Sequence, residues 1–164
     1  MVAYEHECSR NCIWLPATSH ASGRFTGQMA LHGSTVLKRI TLSQLTGLLQ
    51  HLGFRAKVIS PALIESASSG WVWQIELWPP EEAETLVFKA EMFVAHDVIA
   101  DINKFLRVNP LCVPTYKRLD DGTFEVQLRA VHSLFGGVTV DHVSSWIEQW
   151  SASLDWASEE LMYL

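Results

Sequence analysis

The residues of this chain whose types and spacing bear on chemistry fall into four groups. Near the start, His6, Cys8 and Cys12 form an H-x-C-x3-C run, and His20 would complete four soft ligands for zinc. The run has no C-x2-C pair and no second paired set, so ordinary surface residues are the favoured reading and a metal-dependent module is the alternative. Glu81, Glu82 and Glu84 resemble paired carboxylates, but they follow Pro79-Pro80, and a charge run in such a turn is read as a solvated loop. His132, near a strand end, and His142, in the first turn of a helix, could converge with His96, but surface or cap-proximal histidines are the favoured reading. A histidine at a helix N-terminus is held neutral because the helix dipole opposes its charge. Trp71 and Trp73 are read as core-facing, with a Trp-lined pocket for a small ligand or an enzyme reaction as the alternative.

No G-x-S-x-G, H-E-x-x-H, G-x-G-x-x-G or P-loop occurs, so no catalytic residue and no cofactor is assigned. A net charge of −6 over 164 residues argues against nucleic acid, which takes clustered Lys and Arg. No apolar run reaches the ~18 to 20 residues of a membrane span. Three cysteines, Cys8, Cys12 and Cys112, do not make a disulfide framework and agree with a reducing compartment, so the expectation is a cytoplasmic protein without a membrane partner. With 48% hydrophobic residues, the length supports one full core.

Residues 1–40 carry small polar stretches with short apolar islands and are read as an N-terminal extension of loops with one or two short strands; residues 41–164 are read as a single domain. Thr41-Leu42-Ser43-Gln44 has the form of a capping box, followed by a stripe of Leu42, Leu45, Leu49 and Leu52 that ends at Gly53. Alternation marks strands at Phe54 to Ser60, Gly70 to Trp78 and Thr85 to Val94, while Ala62 to Gly70 reads as a loop. Asp97 can cap a helix through Ile102 and Phe105 that Asn109-Pro110 ends. Asp120-Asp121-Gly122 marks a hairpin, with Gly122 taking the positive φ, and Phe124, Val126 and Leu128 point inward from its second strand. Gly136-Gly137 turns the chain, and Thr139 caps a last helix with its stripe at Val140, Val143, Ile147, Trp150, Leu154, Ala157 and Leu161. The expected fold is α+β: an antiparallel sheet of about five to six strands with three helices, in the order helix, three strands, helix, two or three strands, helix. Trp156 and Tyr163 lie off the last stripe and are read as interface anchors of a dimer.

Asp101-Ile102-Asn103-Lys104-Phe105-Leu106, the Asp120-Asp121-Gly122 turn and Leu134-Phe135-Gly136-Gly137-Val138-Thr139 before a helix together resemble the YbjN family. In element order the resemblance runs from Leu42 to Leu164; its most specific part is the Gly-Gly-Val-Thr entry into the last helix. That family is labelled a bacterial sensory transduction regulator and has the fold of type III secretion chaperones, which are acidic dimers that bind an extended partner along sheet and helix surfaces. The resemblance implies a non-enzymatic, protein-binding adaptor, chaperone or regulator that pairs as a homodimer. It brings no catalytic residue.

Because the His6, Cys8, Cys12 cluster lacks a paired ligand set, the domain is expected to fold without metal. Elemental analysis and far-UV circular dichroism after chelation check this: the expected result is no stoichiometric zinc and an unchanged spectrum, and zinc whose removal unfolds the chain would overturn it.

Overall fold

Two short strands precede the first helix in the computed structural model, which describes residues 33–68, 70–95, 99–108 and 112–161. All of these lie in the unit Leu31–Leu164. They are β1 (Val36–Leu37) and β2 (Ile40–Thr41). Helix α1 (Leu42–His51) starts with the expected capping box: the Gln44 N–H donates to the Thr41 hydroxyl and the Gln44 side chain accepts from the Thr41 N–H. Leu45, Leu48 and Leu49 turn into the core, and Gly53 at φ 86° leads the chain out of the helix.

Then come β3 (Lys57–Ser60), β4 (Leu63–Ser68), β5 (Trp71–Trp78), β6 (Glu82–Ala83) and β7 (Thr85–Val94). Helix α2 (Ile99–Val108) follows, then β8 (Val113–Arg118), β9 (Phe124–Ser133), β10 (Val138–Thr139) and the long α3 (Val140–Leu161). The main sheet has the order β3-β4-β5-β7-β9-β8, antiparallel throughout. The fold is α+β, with three helices among the described residues, as the hydrophobic periods indicate.

One expectation fails at Leu63–Ser68, which is a strand and not a loop, so four main-sheet strands separate α1 from α2 instead of three. Only Ile64 and Ser66 of β4 are buried. With serines, Ser66 and Ser68, at two of its three inward positions, the strand shows almost no apolar alternation; its pairing with β5 from Leu63↔Glu76 to Ser68↔Trp71 holds it in place.

The register puts every second residue on one face. Ile64, Ile75, Phe88 and Ala130 form one row, and Ser66, Trp73, Ala90 and Leu128 the next. These residues are buried. The helix α3 lies across this face: Trp146 stacks on His132 of β9, Trp150 packs on Phe88 of β7, Ser158 accepts from the Trp71 indole N–H of β5, and Ser151 bonds Ser68 of β4. Its predicted stripe, Val140, Val143, Ile147, Trp150, Leu154 and Ala157, is buried; the side chain of Leu161 lies outside the described residues.

The sequence reading starts the domain at residue 41, but residues 33–41 are built into it. β1 pairs with β10 and β2 with β6. The carbonyls of Thr35 and Gly33 accept the N–H groups of Val140 and Asp141 at 3.0 Å each, and the Thr139 hydroxyl accepts from His142 at 3.3 Å. The first turn of a helix leaves its N–H groups without intrahelical partners, so this strap and the Thr139 cap together complete α3. The segment Pro79 to Glu84, read as a free acidic loop, includes β6 and is tied to the strap.

At the hairpin, Asp121 accepts from both the N–H and the hydroxyl of Thr123, and Gly122 adopts φ 88°. At the turn into α3, the Gly137 N–H donates to the Leu134 carbonyl, with Gly136 at φ 87° in the third turn position, where a type II turn requires positive φ. Gly137 has φ 93°, and a Cβ there would stand 2.8 Å from Val36 Cγ1. Gly137→Val combines a disfavoured backbone region with a clash against β1. It should destabilise the protein by roughly 1 to 3 kcal/mol, read as a lower urea midpoint, while Gly136→Asn, which points into open space, should leave the midpoint within error.

Candidate functional site

Burial disposes of several candidate residues. Trp73 is fully buried, edge-on to Phe54 at 5.8 Å and stacked with Phe88 at 6.2 Å, and its indole N–H donates to Ser68. Trp71 is buried and bonded to Ser158. The surfaces that a Trp-lined pocket would need are packed inside the core. Cys112 is buried, and burial pushes its thiol up to about 12, so it is protonated and unreactive at neutral pH.

The strap and the acidic segment meet through charge. Arg39 pairs with Glu84 at 2.7 Å and with Glu82 at 3.4 Å, and the Glu84 hydrogen bond and charge hold its guanidinium above its ordinary range. The pair is exposed and contributes little stability. Glu81 is exposed at φ 73°, in the left-handed region.

His132 and His142 do converge, on Trp146. The His132 ring stacks on the indole at 4.5 Å and meets Phe88 edge-on at 5.4 Å, while His142 meets the same indole edge-on at 4.8 Å. Burial, then the neighbouring His142, pushes His132 below its ordinary pKa. His96, His6, Cys8, Cys12, His20 and Tyr163 lie outside the described residues, and among the described residues no three His, Cys, Asp or Glu side chains come together to hold a metal.

Trp156 corrects the sequence reading. It is half-buried, tilted against Phe105 of α2 at 5.2 Å with Lys104 Nζ 5.9 Å from its ring centroid. Helical phase alone puts it off the core stripe, but α2 lies over that side of α3 and supplies the partner that the periodicity does not reveal.

What remains is the second face of the sheet, which no described helix covers. Along one row Lys57, Glu65, Gln74, Lys89, Arg129 and Val113 stand side by side; along the next, Leu63, Glu76, Val87 and Val131. Phe93, Glu125 and Lys117 form a third at the far end. Lys89 pairs with Glu76, Lys57 with Glu65 at 3.8 Å, and Gln127 donates to both Glu91 and Glu125 at 3.1 Å. The Lys89 ammonium draws Glu76 below its ordinary range, helped by the Trp78 side chain and Arg129. Among these polar groups Val72, Trp78, Phe93, Val113 and Val131 are each more than half exposed. Period-2 alternation assigns Trp71, Trp73, Met92 and Val94 to the core; the same alternation, followed in the opposite phase, would have flagged Val72, Trp78 and Phe93 as apolar residues pointing outward.

A structure search matches the chain to the crystal structure of YbjN from E. coli, described as "a putative transcription regulator", at a TM-score of 0.56 and 18% identity, covering 76% of this chain and 96% of that one. The fold is therefore YbjN-like. No family model matches the chain, and a search of curated proteins finds no match. No helix among the described residues is long and apolar enough to cross a membrane.

The buried imidazole carries a pH consequence. His132 has a lowered pKa when folded and an ordinary 6.5 when unfolded. As pH falls below 6.5 the unfolded chain takes up a proton that the folded chain refuses, so stability present above that pH is lost on acidification. The urea midpoint should fall from pH 7.5 to pH 5.5 less steeply in His132→Gln than in the wild type; parallel slopes would show that the imidazole stays neutral in neither state more than the other.

Proposed function

We propose that this is a non-enzymatic protein-binding domain acting as a chaperone-like adaptor or regulator, with the open face of the sheet as its contact surface. The observation that carries the reading is that face itself. Five large apolar side chains, Val72, Trp78, Phe93, Val113 and Val131, stand more than half exposed on this one face. Exposed apolar residues gathered on one face mark contact surfaces, and Trp and Phe among them serve as anchors that a partner can bury. The YbjN-like fold and that neighbour's description as a regulator support the same class, although a shared fold by itself does not carry function. The engagement of Trp71, Trp73 and Cys112 within the core favours this reading over an enzyme or small-ligand protein. We place the domain in the cytoplasm, acting without a cofactor on a protein partner and not on nucleic acid or membrane.

The test is binding to a permanently unfolded polypeptide, such as a reduced and carboxymethylated protein, followed by fluorescence anisotropy of the labelled chain. The expected result is saturable binding that Phe93→Ser and Val72→Ser each weaken about tenfold, the effect of removing one apolar anchor of about 1.4 kcal/mol. Binding that is absent, or that both substitutions leave unchanged, would overturn the assignment of this face.

A further inference from the structure

The middle of the open sheet face holds a local charge imbalance. Lys89 of β7 and Arg129 of β9 stand directly opposite each other in the register, and like charges so placed are destabilising. Glu76 of β5 pairs with Lys89, but the Arg129 guanidinium is exposed and makes no ion pair among the described residues. The neighbouring carboxylates are engaged elsewhere: Glu65 faces Lys57 at 3.8 Å, and Glu91 and Glu125 each accept from the Gln127 amide at 3.1 Å. Two cations therefore share one carboxylate at the centre of this face, on a chain that carries −6 overall. Apolar side chains flank them. Trp78 and Val131 lie on one side of this row and Val72 and Phe93 on the other, all more than half exposed.

We propose that Lys89 and Arg129 make the open face selective for acidic-centred polypeptide: an extended segment, lying along β7, that brings a carboxylate to the cation pair and apolar side chains to either side of it. The proposal rests on the protein-binding reading of that face and names the class of segment it takes. On β7 the stretch runs from Thr85, beside Trp78, to Phe93, about 27 Å at ~3.4 Å per residue. An extended segment of about nine residues spans that distance and turns alternate side chains toward the sheet, so about five reach it, each over one row of the face. The central one falls over the row of Lys89 and Arg129, and the outer ones fall among Trp78 and Val131 at one end and Val72 and Phe93 at the other. A carboxylate at the centre can accept two bonds from the guanidinium and relieve its repulsion with Lys89. The surrounding apolar side chains would shield this contact from water, which strengthens it beyond an exposed ion pair. A basic residue at the same place would add a third cation.

Fluorescence anisotropy of short labelled peptides titrated with the full chain tests this. Each peptide of about nine residues carries leucine at alternate positions, serine and threonine between them, and aspartate, glutamine or lysine at the centre. The aspartate peptide should bind at least about fivefold more tightly than the lysine peptide at low salt, with the glutamine peptide between them and the preference shrinking as salt is raised. Arg129→Gln should reduce the preference and Arg129→Glu should reverse it, a result that no folding defect produces. Phe93→Ser should weaken all three peptides alike and keep their order. Equal binding of the three peptides overturns the proposal, as does a preference that Arg129→Glu leaves in place or a failure of every peptide to bind. If the reduced and carboxymethylated polypeptide still binds in a Phe93-dependent way in any of those cases, the protein-binding reading stands and only the acidic-centred class is excluded.

Discussion

Phe88 is the point at which the elements of this domain meet. Fully buried in the middle of β7, it stacks with Trp73 of β5, meets the ring of His132 on β9 and takes Trp150 of α3 against it at 5.7 Å. Three neighbouring strands and the longest helix thus share one aromatic contact set. Rings at these separations gain from edge-to-face and offset geometry beyond their buried area. Burying a ring the size of Trp73 contributes on the order of 4 to 6 kcal/mol before conformational entropy is subtracted. The position of α3 across the sheet follows from these contacts. Once α3 lies there, one face of the sheet is closed and the other is left to solvent.

Much of this arrangement was legible in the sequence. Thr41 with Gln44, the inward phases of β5, β7 and β9, the turns at Gly122 and Gly136, and the stripe of α3 follow local rules of spacing, so they can be read without knowing what packs where. The misreadings share a cause. β4 has serines at inward positions and β6 follows two prolines, and although short strands were expected before residue 41, what ties β1 and β2 into the domain is pairing with partners far along the chain. Trp156 was misplaced for the same reason, because its partner Phe105 belongs to another helix. For the candidate site, the chemistry-bearing residues were the poorer guide. The open face became visible only once the register fixed which apolar residues the core could not use.

The two faces of the sheet have different electrostatic and packing character, and each follows from the fold. The closed face is aromatic and aliphatic, with polar seams limited to Ser68, Ser151 and Ser158, which take up indole and hydroxyl donors. Ser66 and the indole N–H of Trp150 are buried without a recorded partner. The open face mixes ion pairs with exposed apolar side chains. The paired charges keep that surface hydrated while its apolar side chains stand exposed among them.

The strap at residues 33–41 joins the beginning of the described fold to its end. Val36 pairs with Thr139, about 100 residues later, and the Gly33 and Thr35 carbonyls hold the start of α3. On the ribosome these early residues emerge long before the helix they cap. Domains form as units during synthesis, and here β2 meets β6 by mid-chain, but β1 and the Gly33 and Thr35 carbonyls have no partner until the last quarter of the chain is made. The hairpins of β4, β5 and β7 can assemble from neighbouring residues as they emerge, but closure of the domain waits for its C-terminal end. Once β7 is made, the nascent chain therefore carries an uncovered apolar sheet face until α3 is synthesised.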